Sequence, residues 1–405
     1  MTAWLTVIGL GADGAASLGA EARVAIAAAE ALVGGKRHLA MFPEIRAEQF
    51  AWESPIAKTV ERIAALRGRR VVVLASGDPM SFGIGATLAR RFAAAEMRVI
   101  PAVGSIALAR ARMLWSEEAA TVVSLCGRPI ETLALHLYPG AKLIVLSTDG
   151  TTPAAVAAAL VAQGFGPSQM TVLESLGGAD ERAAVATADT WSAARNADLN
   201  VIAIACQATP DAVALSRVPG LPDDAFAHDG QITKRELRAL AISSLAPLPG
   251  QRLWDVGAGC GSVAIEWLRA APRTQAIAIE MNSARGALAA HNAKVLGVPT
   301  LEIVTGDAPG ALSGLAAPDA VFVGGGISRE GVLDAAWNAL KPGGRLVAHA
   351  VSVEGEARLI EAARIFNGRL TRIGVERAEP LGGHIGFKPA RAVTQLVAEK
   401  ANTNP

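Results

Sequence analysis

Short apolar runs alternate along the chain with alanine-rich stretches of helical spacing. In the first half, runs at 4–10 (WLTVIGL), 71–77, 97–102, 121–127, 142–148, 170–175 and 200–206 predict strands, and 19–32, 82–95, 105–113 and 152–163 predict helices. This alternation predicts a mostly parallel sheet with crossover helices. After Cys206 the pattern lapses into QATPDAVALSRVPGLPDDAFAHDGQ, which holds three prolines. It then restarts with helical ITKRELRALAISSLAP. A second series follows: strands at 252–257, 275–280, 301–306, 319–324 and 344–351, helices at 261–270, 283–296, 329–340 and 354–366, and closing strands near 370–376 and 393–399. The expected division is therefore a domain over 1–207, a linker over 208–226 and a second domain over 227–405.

Size supports two domains, because 405 residues exceed what a single core of roughly 250–300 residues accommodates. A hydrophobic share of 51% with 19% charged residues predicts well-buried sheets and excludes disorder. A net charge of +1 provides no global field for nucleic acid or anionic membrane. The three cysteines, Cys126, Cys206 and Cys260, form no CxxC pair, which argues against a disulfide framework or a structural metal site. No basic segment precedes the first apolar stretch, and no apolar run approaches the roughly eighteen residues of a bilayer span. A cytoplasmic protein with no metal and no membrane partner is expected.

Candidate chemistry starts at WDVGAGCGS (254–262), where a strand leads into alternate glycines. A dinucleotide turn has GxGxxG, with pyrophosphate seated on a helix N-terminus. Here the spacing is GxGxG, and Asp255 lies beside the loop where it opposes a phosphate. The spelling suits a cationic ligand without phosphate, and S-adenosylmethionine meets both conditions. Glu280 ends the next strand, where a carboxylate accepts from ribose hydroxyls, and Asp307 ends the strand after that. Each feature alone also reads as an ordinary turn or cap; Thr233 followed by Glu236 is equally a capping box. In the first half, LASGDPMSFGIG (74–85) follows a strand and opens a helix, with Asp78 near the helix start and Pro79 in the first turn.

VIGLG (7–11), ASGDPMSFGIG (75–85), PAVGS (101–105), SLCGRP (124–129) and STDGTTPAA (147–155) resemble the tetrapyrrole methylase family. HDGQITKRELRAL (228–240), WDVGAGCGSVAIEWLR (254–269), GDAP (306–309), VGGG (323–326), LKPGGRLVAHAV (340–351) and GGHIGFKPAR (382–391) are similar to the decarboxylating methyltransferases of the same pathway, cobalamin biosynthesis. The resemblance covers nearly the whole chain. It implies an α/β fold, with an N-terminal two-lobed tetrapyrrole methylase domain followed by a C-terminal Rossmann-like class I methyltransferase domain. The implied reaction is methylation of precorrin-6B at carbons 5 (first domain) and 15 (second domain) with loss of the ring C acetate carboxyl, giving precorrin-8X. The same chemistry on a cobalt-bound precorrin is the alternative. One S-adenosylmethionine site is implied per domain, together with a homo-oligomeric state.

The resemblance places cofactor contacts at Gly77, Asp78, Pro79, Gly104 and Ser105 in the first domain. In the second it places them at Thr233, Gly257, Ala258, Gly259, Cys260, Gly261, Glu280 and Ala308, beside the Asp255 and Asp307 already named. Gly9, Gly11, Arg128 and Gly324-Gly325-Gly326 are candidate substrate contacts, the triple glycine leaving open backbone for a bulky macrocycle and none of the groups that grip a nucleic-acid base. The chain departs from the wider family at Ala12-Asp13-Gly14 and at Cys126, where a histidine is common, so no acid-base role is given to Cys126. Methyl transfer to carbon asks mainly for positioning. Decarboxylation asks for an assisting donor, for which His384 and Arg345 are the candidates. Arg110, Arg112, Arg128, Lys234, Arg235, Lys388 and Arg391 are candidates for pairing with substrate carboxylates.

Overall fold

The computed structural model describes residues 3–402, so the outer ends of the two expected domains lie outside it. The chain forms two compact units: residues 1–130 with 138–213, and residues 131–137 with 214–405.

The first unit opens with β1 (Leu5–Leu10), α1 (Ala20–Ala27), β2 (Ala31–Gly34), α2 (Lys36–Leu39), β3 (Glu48–Ala51), α3 (Ile56–Ala64), β4 (Val71–Ser76), α4 (Ile84–Leu88) and β5 (Met97–Ile100). Its five strands lie in the order β3-β2-β4-β1-β5, each pair parallel. The central strands read as unbroken apolar runs because helices cover both faces; Leu5, Val7, Ile8, Val71, Val73 and Leu74 are all buried. After α5 (Ser105–Met113) come β6 (Thr121–Ser124), β7 (Lys142–Leu146), α6 (Thr152–Ala162), β8 (Gln169–Glu174), β9 (Arg182–Thr187) and β10 (Asn200–Ala205). This second sheet has the order β6-β7-β10-β8-β9, and only β6 and β7 run parallel. The expected mostly parallel arrangement thus holds for the first sheet and not for the second, where β10 inserts antiparallel between β7 and β8. The helix expected over 19–32 stops at Ala27, and ALVG forms β2. The helix expected over 82–95 shrinks to α4, and Phe92 beyond its end packs edge-on against Trp4.

The second unit contains α7 (Arg235–Leu245), β11 (Arg252–Val256), α8 (Ser262–Ala270), β12 (Gln275–Glu280), α9 (Ser283–Val295), β13 (Glu302–Thr305), β14 (Ala320–Val323), α10 (Val332–Ala339), β15 (Arg345–Ala350), α11 (Val353–Ile365), β16 (Arg369–Ile373), β17 (Glu376–Leu381), β18 (His384–Pro389) and β19 (Val393–Glu399). Seven strands form one sheet in the order β13-β12-β11-β14-β15-β19-β16. The first five are parallel, and β19 runs antiparallel between β15 and β16. The strands β17 and β18 make a separate exposed ribbon that the apolar pattern did not predict. Among the described residues, no helix is long and apolar enough to cross a membrane.

Residues 214–226 are not a free linker. Leu221 and Phe226 are buried, and Glu266 on α8 accepts the Gly220 and Leu221 amides at 2.7 and 2.8 Å. Arg238 on α7 is fully buried and donates to Glu266 (2.7 Å), Asp223 (3.1 Å) and the carbonyls of Leu221 and Thr233. A second buried arginine, Arg269, holds the carbonyls of Leu215, Ser216 and Leu296.

Asp255 serves the fold in a different way. At 1% exposure, its Oδ2 accepts the Ala264 amide at 3.0 Å in the first turn of α8, and its Oδ1 has no partner. Burial, reinforced by the nearby Glu280 charge, pushes its pKa up to about 7 from 3.8. The folded state therefore prefers the protonated acid. The stabilisation is complete below the ordinary value and is lost as pH rises toward 7.

Two outcomes are expected. Arg238→Met leaves Glu266 buried and unpaired, and should cost about 3–5 kcal/mol in urea unfolding of the second unit, followed by hydrogen exchange in α8. Asp255→Asn should remove the decline in stability between pH 4 and 7, a difference of up to roughly 4 kcal/mol read from unfolding midpoints at each pH.

Candidate functional site

In the first unit, the loops leaving β1, β4 and β5 meet main chain to main chain. Gly77 has φ +56°, and a Cβ there would lie 2.7 Å from the Gly104 Cα. Its amide donates to the Leu10 carbonyl (2.7 Å) and its carbonyl accepts from Ala102 (3.3 Å). The space a Gly9 side chain would need is filled by the Gly77 carbonyl. Asp78 caps its own turn by accepting the Met80 amide at 2.8 Å. Pro79 is buried below that turn, where its carbonyl accepts from Gly85 and starts α4.

Two cavities share this wall. One, of about 470 Å³, is lined by Gly11, Gly77, Asp78, Gly104 and Ser105, with Cys126 and Asn200 opposite. The other, of about 760 Å³, is bounded by Gly9, Gly11, Asp78, Gly104 and Arg110. Arg110 keeps a buried Nε without a partner, although its outer nitrogen meets Glu117 at 3.5 Å. Arg112 is taken by Glu181, and Arg128 lies 5.4 Å from the Phe82 ring. Sequence reasoning missed GGKRHL (34–39), which brings Arg37 and His38 to the first cavity. His38 Nε2 lies 3.1 Å from Ser76 Oγ and 3.3 Å from Arg37 Nη2, and burial lowers its basicity. Basic residues just after an apolar run were the signal, hidden while that run was read as helix.

In the second unit, strand exits along one sheet edge enclose a cavity of about 750 Å³. In sheet order it is lined by Asp307 and Ala308 after β13, Glu280 at the end of β12, Gly257-Ala258-Gly259 after β11, Gly324-Gly325-Gly326 after β14, His349 on β15 and Arg391 before β19, with Thr233 closing it from the α7 side. Gly257 (φ +72°) lies against Gly325 so closely that a Cβ would sit 2.6 Å from its Cα. Glu280 is buried on the cavity wall, with Oε2 accepting the Gly259 amide (2.8 Å) and Oε1 the Asn282 amide (2.9 Å). The amides of Gly257 and Ala258 donate to the Ile279 carbonyl, and that of Gly261 to Ala258. The amides of Gly257, Ala258, Gly259 and Gly261 are thus committed inside the protein. A loop with those donors taken and a carboxylate beneath it has little to offer a pyrophosphate.

Several expected site residues lie elsewhere. Asp255 faces α8, and Cys260 and Gly261 pack inside the loop, Gly261 against Ala289. Arg345 starts β15 at the opposite end of the parallel strands, near the carbonyls of Leu245 and Ala246 and 3.7 Å from Glu399. His384 sits in the exposed ribbon, off the cavity, with Lys388 paired to Glu379 at 3.1 Å. Arg235 is exposed and also off the cavity. The capping box is not formed: Lys234 caps α7 without a side-chain bond, and Glu236 meets Arg377 at 2.5 Å. Lys234, Arg377 and Arg391 do line the cavity, and Asp307 is paired with Arg329 at its rim. His349 and Arg377 went unnoticed in the sequence, because nothing in strand or ribbon spelling marks which face meets a cavity. Among the described residues, no cluster of side chains suits a metal ion.

Comparison with known proteins matches residues 5–191 to the family described as tetrapyrrole (corrin/porphyrin) methylases and residues 224–400 to the precorrin methyltransferase domain. The precorrin-6Y C(5,15)-methyltransferase [decarboxylating] of Sinorhizobium sp is 50% identical over 393 residues, covering 97% of this chain and 95% of that protein. Two separate proteins of Salmonella typhimurium are each 36% identical. The cobalt-precorrin-7 C(5)-methyltransferase covers 44% of this chain and 88% of its own length, and the cobalt-precorrin-6B C(15)-methyltransferase (decarboxylating) covers 42% and 89%. With similarity of that degree along almost its full length, the chain belongs to the family of decarboxylating precorrin-6Y C(5,15)-methyltransferases.

Proposed function

We infer that the protein methylates precorrin-6B at carbons 5 and 15, using one S-adenosylmethionine site in each unit, and removes the ring C acetate carboxyl in the second unit to give precorrin-8X. The observation that carries this reading is Glu280, a buried carboxylate on the cavity wall beside a glycine loop whose amides are already bonded. That combination fits a ligand with hydroxyls and positive charge. When bound, S-adenosylmethionine supplies an electrophilic methyl group on a sulfonium. Thr233, Gly257, Ala258, Gly259, Glu280, Asp307 and Ala308, which line the second unit's cavity, would hold it there, and Gly77, Asp78, Gly104 and Ser105 would hold it in the first unit.

The opposite end of the same cavity suits the macrocycle. Gly324-Gly325-Gly326 leaves main chain open, and Arg377 and Arg391 bring positive charge for acetate and propionate groups. In the first unit, Arg110 is the cation best placed for this work. A cavity of about 750 Å³ lies within the range of small-molecule sites. Holding both reactants there can supply roughly 7–11 kcal/mol of the barrier, so no nucleophile is needed. The two Salmonella relatives, named for the separate carbon-5 and carbon-15 reactions, support one reaction per unit. The relatives are named for precorrin and for cobalt-precorrin substrates alike, so the same reactions on a cobalt-bound precorrin stand as the alternative. A cytoplasmic homo-oligomer is the setting the family resemblance implies.

Titration calorimetry of the full chain with S-adenosylmethionine should give two sites. Glu280→Gln should weaken the second-unit site about 10- to 100-fold, the equivalent of about 1.5–3 kcal/mol for a charge-assisted contact, and leave the other unchanged. Mass spectrometry of the product should then show the ring C carboxyl retained. Tight binding of a nicotinamide dinucleotide, or two unchanged sites in Glu280→Gln, would contradict the reading.

A further inference from the structure

His349 on β15 is the direct antiparallel partner of Gln395 on β19, and its Nε2 lies 2.9 Å from the Gln395 Oε1. The Gln395 amide nitrogen is used elsewhere, donating to Ser244 Oγ on α7 at 3.2 Å. With the Gln395 oxygen in that position, the contact calls for a hydrogen on His349 Nε2, which leaves the lone pair on Nδ1. The Phe322 ring stands edge-on to the imidazole at 5.1 Å and restrains its rotation. The residue is only 8% exposed, yet it lines the cavity beside the triple glycine and Arg391. With Nε2 tied to the sheet, Nδ1 is the ring atom left to meet what the cavity holds.

Decarboxylation makes a specific demand on protons. Breaking the acetate carbon–carbon bond releases carbon dioxide and leaves its electron pair in the conjugated macrocycle as an exocyclic enamine. The methylene carbon must then gain a proton to become a methyl group. A ring nitrogen that became an iminium N–H when the bridging carbon was methylated has a proton to lose. One proton leaves nitrogen and one arrives at carbon, so the step balances without oxidant or reductant. It needs a base that takes the first and delivers the second.

We propose that His349 is this proton carrier: its Nδ1 accepts the ring N–H proton and returns it to the acetate methylene carbon, while Gln395 and Ser244 hold the imidazole in the required tautomer. Burial supports the role, because it keeps the ring neutral and ready to accept, and makes the imidazolium a stronger acid once formed. The assignment rests on reading the second unit as the decarboxylating site.

The test measures methyl transfer and carbon dioxide release separately in full-length His349→Asn, with a nitrogen-15 histidine spectrum of the unsubstituted protein as an independent check. Methyl transfer at the second unit should stay within a few-fold, while carbon dioxide release falls 10²- to 10⁴-fold, the usual contribution of a positioned acid-base group. The methylated, undecarboxylated macrocycle should accumulate, and added imidazole should restore part of the release. The spectrum should show the Nε2–H tautomer at neutral pH. Release at the parental rate, equal loss of both reactions, or an Nδ1–H ring each overturns the assignment and leaves the proposed function standing. Failure of the unsubstituted protein to methylate or decarboxylate would instead remove the reading beneath it.

Discussion

The second unit's site depends on a guanidinium that has no contact with water. Arg238 binds one carboxylate on α8 and the carbonyls of Leu221 and Thr233, so the irregular chain before α7 is fixed from below. Glu266 closes the arrangement by accepting two amides from the same stretch. Taking a charge pair out of water is costly, and it is tolerated where nearly every donor and lone pair finds a partner. The reward is positional: Thr233 reaches the cavity on main chain that has little freedom to move. Arg269, whose burial lowers its pKa to about 10, repeats the device one turn further along α8.

The cavity walls of the two units are built by different physics. The first relies on close approach, with Gly9, Gly77 and Gly104 letting the end of β1 and the loops after β4 and β5 touch through their main chains. Its cavity walls carry serines, small residues and a single turn-capping aspartate from these loops. The second relies on charge arranged along a sheet edge, from Asp307 and Glu280 at one end to His349 and Arg391 at the other. A positively charged donor and a many-carboxylate acceptor can therefore approach one another from walls of opposite preference.

Legibility differed between elements for identifiable reasons. Strand β4 is a nearly unbroken apolar run because it is covered on both faces, and its boundaries, like those of β11, were readable to within a residue or two. The strand β2 is four residues long and follows alanine-rich helix closely, so periodicity merged the two and hid the short basic helix α2 after it. The ribbon of β17 and β18 buries almost nothing, and without a buried face it lacks the alternation that marks a strand. Arg345 and His349 share a strand and lie at its two ends; only the direction of the strand says which one meets the cavity.

The sequence by itself determined the two-unit α/β plan, the glycine loops and the acidic strand ends, since local spacing and apolar patterning encode what a segment does against its neighbours. Tertiary structure decided where each polar group points. Asp255 and Glu280 are both acids at strand ends, yet one is turned into the first turn of α8 and the other toward the cavity. Likewise, the partner that His349 Nε2 meets is Gln395, 46 residues away in the chain and opposite it in the sheet. The direction of a side chain and its protonation are fixed by burial and by partners distant in sequence, and neither leaves a mark in local spacing.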